Sequence, residues 1–193
     1  MKKVALAMLI GGLSVSVASA EDFILDETSA AGETTCFDAI YGGAGVGGSF
    51  LKVKDSKYNR FLGSLLVGGG KAFQGKYYGG AEYMMDFMAD KTKADLKNKG
   101  FNQQFGARFG YVFNGDSMAY GRFGYQHSEV KNMTNSISKK QWAPTLALGG
   151  ERIVWRNASA RVEAEYAFGK KHEGVRVNKG WNVRMLGAYN FKY

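Results

Sequence analysis

The last thirteen residues of the chain alternate between apolar and polar side chains. Successive side chains of a β-strand point to opposite faces, so this alternation predicts a strand with two different faces. One face is apolar and aromatic, with Val183, Met185, Tyr189, Phe191 and Tyr193. The other face is polar, with Arg184, Asn190 and Lys192. An ending of this kind, closed by an aromatic residue, is typical of the last strand of a barrel that spans a bacterial outer membrane.

The same alternation recurs from Ile40 onward in segments of about ten residues, which is the length that a tilted membrane strand needs. Eight segments are found: Ile40–Leu51, Arg60–Lys71, Tyr77–Phe87, Asn102–Phe113, Met118–Ser128, Trp142–Val154, Ala160–Phe168 and Trp181–Tyr193. An even number of antiparallel strands can close without leaving an exposed edge. We therefore predict an all-β fold, an eight-stranded antiparallel up-and-down transmembrane β-barrel.

Short connections between these segments alternate with long, polar ones, as in other barrels of this kind. The short connections are Ala72–Lys76, Asn114–Ser117 and Trp155–Ala158, and the long ones are Lys52–Asn59, Met88–Phe101, Glu129–Gln141 and Gly169–Gly180. Asn114-Gly115 is a strong turn signal, because both residue types adopt positive φ readily. We expect the tight turns to face the periplasm and the long loops to face the exterior.

Residues 1–20 predict a secretory signal peptide. Lys2 and Lys3 precede an apolar run, and Ala18-Ser19-Ala20 is a cleavage site of small residues. The run is shorter than the ~20 residues of a membrane-spanning helix. Residues 21–36 are acidic and contain no Lys or Arg, so we expect a flexible extension there, followed by the barrel at 37–193. Cys36, the one cysteine, cannot form an intrachain disulfide, and we interpret it as an incidental thiol rather than a dimer or adduct site.

The polar face of the fourth segment indicates a narrow interior. It contains Gln104, Gly106, Arg108 and Gly110, so its single charge is framed by glycines. A face in open water has room for many long side chains, whereas the interior of an eight-stranded barrel is only wide enough for side chains to fill it. The segment therefore favours a small closed barrel with a polar lumen.

Five segments carry a resemblance to a known family. They are Gly79-Gly80-Ala81-Glu82 through Asp86-Phe87, Ala107-Arg108-Phe109-Gly110-Tyr111, Tyr120-Gly121-Arg122-Phe123-Gly124, Ala143-Pro144 leading to Gly149-Gly150-Glu151, and Arg161-Val162-Glu163. On these residues the chain from 40 to 193 is similar to the small eight-stranded outer-membrane barrels that include the transmembrane domain of outer-membrane protein A and the opacity-type surface proteins. The resemblance implies a charged plug in the lumen, formed by Glu82, Arg108, Arg122, Arg161, Glu163 and Glu165.

Two consequences follow from the resemblance. Because a carboxylate in a narrow lumen is costly unless it is paired, Glu82 has Arg108 and Arg122 as candidate partners. The C-terminal aromatic residues are expected to act as an assembly signal for the barrel-assembly machinery; they are Tyr189, Phe191 and Tyr193. The chain departs from the family pattern at Gly45, where outer-membrane protein A has an inward lysine, and at Ala188, where the terminal motif usually has glycine.

Three patterns that could indicate catalysis or cofactor binding fail on spacing. His127-Ser128-Glu129 holds the residue types of a hydrolase triad, but adjacent strand residues point to opposite faces, so His127 cannot readily activate Ser128. His127 and His172 lack the paired spacing of haem ligands. The Gly42–Gly48 run precedes no helix start, and packing against the lumen or a neighbouring strand explains it better than a nucleotide loop. We predict no enzyme, no cofactor and no metal site; a lipid A-modifying hydrolase and a haem-binding surface protein are the less favoured alternatives.

The four long connections are strongly basic. Between residues 52 and 57, 90 and 99, 129 and 140, and 170 and 179 they carry fourteen Lys or Arg against five Asp or Glu. We call this set the cationic crown; it includes Lys91, Lys93, Lys97, Lys99, Lys139, Lys140, Lys170, Lys171 and Arg176. The crown predicts an outer-membrane protein with a structural or surface-interaction role of adhesin or antigen type. The expected partners are outer-membrane lipids, lipopolysaccharide and anionic host glycans, and not nucleic acid. A narrow pore for small solutes is the main alternative.

Overall fold

The computed structural model describes residues 36–53, 56–89, 96–132, 138–169, 171–172, 175–176 and 180–192. Their strands are β1 (Ala39–Val53), β2 (Ser56–Phe73), β3 (Tyr77–Ala89), β4 (Leu96–Phe113), β5 (Ser117–Asn132), β6 (Ser138–Trp155), β7 (Ala158–Ala167), β8 (Lys171–His172), β9 (Val175–Arg176) and β10 (Gly180–Lys192). Eight of these strands close into one barrel in the order β1-β10-β7-β6-β5-β4-β3-β2, and β8 pairs with β9 in a separate hairpin. The predicted eight-stranded antiparallel barrel is confirmed. The predicted signal peptide and all but the last residue of the acidic extension lie outside the described residues.

The barrel closes where β1 pairs with β10. Glycines on the inward face of β1 make this seam possible, because a Cβ at Gly43, Gly45 or Gly47 would overlap a carbonyl oxygen of β10. The glycine run at 42–48 therefore belongs to a strand that lies close to its neighbour, as its packing interpretation predicted. The same contact explains why a lysine could not stand at Gly45.

The strands extend further than predicted at the side of the long connections, which we call the loop end. The predicted loop Lys52–Asn59 is strand at 52–53 and 56–59, with Val53 paired to Ser56. Similarly, β4 starts at Leu96, β5 continues to Asn132 and β6 begins at Ser138. These loop boundaries were predicted wrongly because polar side chains do not end a hairpin whose backbone N–H and C=O groups pair with each other. The fourth predicted loop, Gly169–Gly180, contains β8 and β9.

The opposite end of the barrel, which we call the turn end, has the predicted tight turns. Gln74, Asn114 and Arg156 adopt positive φ there, as the primed turns of tight hairpins require. Before β1, Phe37 packs edge-on against Tyr78, with ring centroids 6.5 Å apart. The same buried cluster includes Val112, Met118 and Tyr120. The lumen therefore has an apolar lining at the turn end.

The outer wall of the barrel is apolar over most of its area. Phe109 and Leu148, for example, are 67% and 68% exposed, and they stand among many other exposed aromatic and aliphatic side chains. A contiguous exposed apolar surface of this extent marks contact with a membrane or another protein. The described residues contain no helix that is long and apolar enough to cross a membrane.

Candidate functional site

Among the described residues, nine buried charged side chains from six strands lie in the lumen. Each is at most 5% exposed, because the inward parity of its strand places it among the side chains that fill the barrel. They are Arg108, Arg122, Arg161 and Arg184, together with Glu82, Asp86, Glu151, Glu163 and Glu165. A buried charge without a partner is strongly destabilising. These side chains pair with each other in two clusters.

The Arg122 cluster consists of Arg122, Arg184, Asp86, Glu163 and Glu165. Nη2 of Arg122 lies 2.6 Å from Oε1 of Glu163 and 2.6 Å from Oε2 of Glu165. Nη2 of Arg184 lies 2.6 Å from Oδ2 of Asp86 and 3.0 Å from Oε1 of Glu165. Arg122 thus binds two carboxylates of β7, and Arg184 links β7 to Asp86 on β3, on the opposite side of the barrel.

The Arg108 cluster consists of Arg108, Arg161, Glu82 and Glu151. Nη2 of Arg108 lies 2.7 Å from Oε2 of Glu151, and Nη1 of Arg161 lies 2.5 Å from Oε2 of Glu82. The predicted partners of Glu82 lie further away, since Arg108 and Arg122 each have a guanidinium nitrogen 3.6 Å from its carboxylate. Glu82 is therefore paired most closely with Arg161, on the opposite side of the barrel.

Three tyrosine rings enclose Arg108. Its guanidinium carbon lies 4.0 Å from the ring centroid of Tyr120, 5.3 Å from that of Tyr78 and 5.6 Å from that of Tyr41. Such cation–π contacts are strongest where water is excluded. Tyr41 also donates a hydrogen bond to Glu82 at 3.1 Å and accepts one from Arg108 at 3.0 Å.

Glycines of the neighbouring strands provide the space for these rings. A Cβ at Gly68 would lie 2.5 Å from Oη of Tyr41, and one at Gly149 would lie 2.6 Å from Oη of Tyr120. Gly80 and Gly70 leave the same kind of space for Tyr78. Because these glycines have no side chain, the large tyrosine rings can lie flat against the inner wall, and the rings fill the lumen.

All six residues predicted for the lumen network occupy it, and three further members were missed. The missed residues are Asp86, Glu151 and Arg184. Asp86 and Arg184 stood on the polar faces of their predicted strands, so inward parity was the signal that could have included them. Glu151 lies in a segment that carried the family resemblance, but no partner for it was visible in the sequence.

Other predicted site residues are placed as follows. Tyr189 and Phe191 face outward on β10, with ring centroids 5.0 Å apart. Ser128 is buried in the lumen, whereas His127 faces outward with its ring 4.7 Å from that of Trp142, so the two residues are not brought together. Only backbone positions are described for Lys97, Lys99, Lys139, Lys140, Lys171 and Arg176. Lys91, Lys93, Lys170 and Tyr193 lie outside the described residues.

A closed eight-stranded barrel with an apolar outer wall and a charged lumen defines a transmembrane β-barrel. The family model of the outer membrane protein beta-barrel domain matches residues 5–190, and the chain belongs to this family. It is thus a protein of the outer membrane. No curated protein matches its sequence.

The solved structures that are similar in fold include those of two bacterial proteins. Neisserial surface protein A shares 11% sequence identity at a TM-score of 0.60, over 83% of this chain and 100% of its own. The attachment invasion locus protein Ail of Yersinia pestis, in complex with the heparin analogue sucrose octasulfate, shares 16% identity at a TM-score of 0.51, over 79% of this chain and 99% of its own. At these identities the likeness concerns the fold alone.

Proposed function

We propose that this outer-membrane barrel is a surface-interaction protein that binds polyanionic glycans at its loop end, while its lumen stays closed to solutes. The loop end faces the exterior in this proposal. The observation that carries it is the cross-strand register of the cationic crown. Three pairs of directly opposed residues there are both basic: Lys52 with Lys57, Lys97 with Lys131, and Lys171 with Arg176.

Like charges at directly opposed strand positions destabilise a sheet. One pair at the loop end has opposite signs, Glu129 with Lys140, but the three basic pairs outnumber it. The three basic pairs therefore lower the stability of the hairpins that contain them. The long connections at this end carry fourteen basic residues against five acidic ones. An excess of one sign attracts a polyanion, because the field of the clustered charges raises the local concentration of oppositely charged partners.

The choice of a sulfated glycan as the probe has support from a protein of the same fold. The structure of Ail contains a heparin analogue. Heparin offers sulfate groups at high density along a flexible chain, which suits basic residues spread over several hairpins. We therefore take heparin as the first polyanion to test.

Heparin affinity chromatography of the folded full chain in detergent tests the proposal. We expect retention at low salt and elution near ~0.15 M salt, where the Debye length falls to ~8 Å. Reversal of Lys91, Lys93, Lys97 and Lys99 to Glu should abolish retention and leave the fold intact. A protein that passes unretained at low salt, or a reversed variant that is retained like the parent, contradicts the proposal.

A matched control separates the crown from general basicity. Lys97→Glu with Lys99→Glu changes two charges at the loop end, and Lys76→Glu with Arg156→Glu changes two charges in the exposed turns at the other end. Only the first pair should weaken retention. Equal losses from both pairs would show that net charge alone governs binding.

The closed lumen has its own test. Nine buried charged side chains and three tyrosine rings fill the interior, which supports a barrel without an open path. In planar bilayers we expect no steady single-channel current, whereas a sizeable and steady current would favour the narrow pore.

A catalytic role receives no support from His127 and Ser128, which face opposite sides of the wall. Lipid A incubated with the protein should keep its acyl chains, as measured by mass spectrometry.

A further inference from the structure

The outer wall carries few ionisable side chains. Among the outward-facing strand residues whose side chains are described, tyrosines aside, they are Lys71, His127 and Arg152. Lys71 and Arg152 lie near the turn end, and Arg152 is paired with Asp116 at 3.4 Å. His127 differs from both because it lies toward the loop end. An ionisable residue on a membrane-facing surface indicates a functional site, since it is costly to keep there.

Two neighbouring strands place specific groups beside His127. On β6 its partner is Trp142, and the two ring centroids are 4.7 Å apart with their planes at 47°. On β4 its partner is Gln103. Directly opposed residues of antiparallel strands have their side chains on the same face. The amide of Gln103, the imidazole of His127 and the indole of Trp142 therefore lie in one row across β4, β5 and β6.

The depth of this row matches the interface between lipid headgroups and acyl chains. Trp142 is 59% exposed, and two other exposed aromatics lie toward the loop end, Phe168 directly after β7 and Trp181 near the start of β10. Tryptophan concentrates at membrane interfaces, where its apolar ring and its N–H meet different surroundings. Below the row, Tyr125 and Phe123 continue the apolar wall.

The row can donate hydrogen bonds, and the acid two residues further along β5, Glu129, is opposed in register by Lys140 of β6. The imidazole of His127, the amide of Gln103 and the indole of Trp142 each provide at least one N–H donor. Asp86 and Glu165 are buried in the lumen, on the other face of the wall. A ligand rich in acceptor oxygens, anchored by acyl chains along the apolar wall, fits this arrangement.

We infer that Gln103, His127 and Trp142 form a binding site for a phosphate group of lipid A in the outer leaflet. The inference rests on the proposed orientation, with the loop end outward, but not on glycan binding by the cationic crown. Phosphate oxygens would accept hydrogen bonds from His127 and Gln103, while the acyl chains cover Tyr125 and Phe123. Lipid A would thus contact the wall itself, below the hairpins.

Native mass spectrometry of the detergent-solubilised full chain tests the site with two probes, bisphosphorylated lipid A and the same lipid after phosphatase treatment. The parent should bind the phosphorylated form about tenfold more tightly, the effect of one charge-assisted hydrogen bond. His127→Leu should lose most of this preference. His127→Gln keeps an N–H donor and should retain part of it. Heat-modifiable gel mobility reports whether each variant is folded.

A matched variant on the same strand face is Tyr125→Leu, which should keep the preference for phosphorylated lipid A. Three results would overturn the inference: a parent without preference, a His127→Leu variant that keeps it, or an equal preference for phosphatidylglycerol. Loss of the preference in the variant with Lys91, Lys93, Lys97 and Lys99 reversed, but not in His127→Leu, would assign the phosphate to the crown instead. Heparin retention should be unchanged in His127→Leu, so failure of this site and failure of glycan binding can be distinguished.

Discussion

The lumen and the loop end of this barrel are both rich in charge, but they arrange it in opposite ways. In the lumen, four arginines and five carboxylates interleave, and close ion pairs such as that of Arg122 with Glu163 at 2.6 Å link strands across the interior. At the loop end, the register sets basic residues against each other, as in Lys97 with Lys131. Balanced charge therefore lies where water is excluded, and unbalanced charge lies at the end that carries the long connections.

Desolvation accounts for this difference. A buried charge without a partner costs several kcal/mol, so every arginine of the lumen needs its carboxylates. An exposed charge is solvated and screened, and its pairing contributes at most about 1 kcal/mol. Charges at the loop end can therefore remain uncompensated at a small cost in stability. The comparison predicts that lumen substitutions change stability strongly, and that crown substitutions change binding strongly and stability weakly.

The largest effect is expected at the seam that encloses the lumen. Gly47→Val places a Cβ against the Val183 carbonyl oxygen of β10, so β1 cannot pair and the barrel cannot close. We expect almost no folded protein by heat-modifiable gel mobility. Gly63→Val is the control, because a Cβ there would lie 3.9 Å from the nearest neighbouring atom, the Phe87 carbonyl oxygen, and this variant should fold normally. Folding of Gly47→Val at the parental yield would contradict the seam geometry.

The next effect comes from the centre of the Arg122 cluster. Arg122→Met removes the guanidinium that contacts both Glu163 and Glu165, leaving buried carboxylates with fewer partners. We expect a loss of about 3–5 kcal/mol in the free energy of unfolding, measured by urea titration in detergent. Arg152→Met is the control, since its half-exposed pair with Asp116 should contribute at most about 1 kcal/mol. Similar losses in both variants would mean that the lumen is as well solvated as the surface.

A double-mutant cycle resolves the pairing of Glu82. The coupling of Glu82→Gln with Arg161→Met should reach about 1–3 kcal/mol, because these groups are in direct contact. The coupling with Arg108→Met should be smaller, because Arg108 lies 3.6 Å from Glu82 and is paired with Glu151. Equal couplings would show that the cluster acts as one unit rather than as pairs.

The pairing of Glu82 also shows how far the sequence could lead. Alternation put Glu82 and Arg108 on the polar faces of their strands, and the family resemblance implied that these residues point inward. Neither could predict that Arg161 is the closest partner of Glu82. β3 and β7 stand four places apart around the eight-stranded barrel, so their side chains meet across the lumen only after closure fixes the stagger of all strands. Nearest-strand reasoning therefore favoured Arg108 and Arg122.

The hairpin boundaries at the loop end were missed for a different reason. Polar composition predicts a loop, but strand pairing continues through polar residues wherever the backbone can pair. β1 and β2 extend to Val53 and Ser56 through this backbone pairing. The residues of the extension show no alternation of apolar and polar side chains that would predict a strand. The basic composition of the crown was visible in the sequence, whereas its cation-to-cation register was not.

The smallest effect tests the loop end directly. Lys131→Glu replaces a like-charged pair with Lys97 by an opposite-charged one, so it should raise the free energy of unfolding by about 0.2–1 kcal/mol while it weakens heparin retention. Lys140→Glu is the matched control, because its partner is Glu129 and the change creates a like-charged pair. It should weaken heparin retention similarly but lower stability slightly. High salt should shrink both stability changes, since exposed charges are then screened. If Lys131→Glu destabilises the barrel as Lys140→Glu does, the basic pairs do not oppose hairpin stability, and the register no longer supports a site for polyanions.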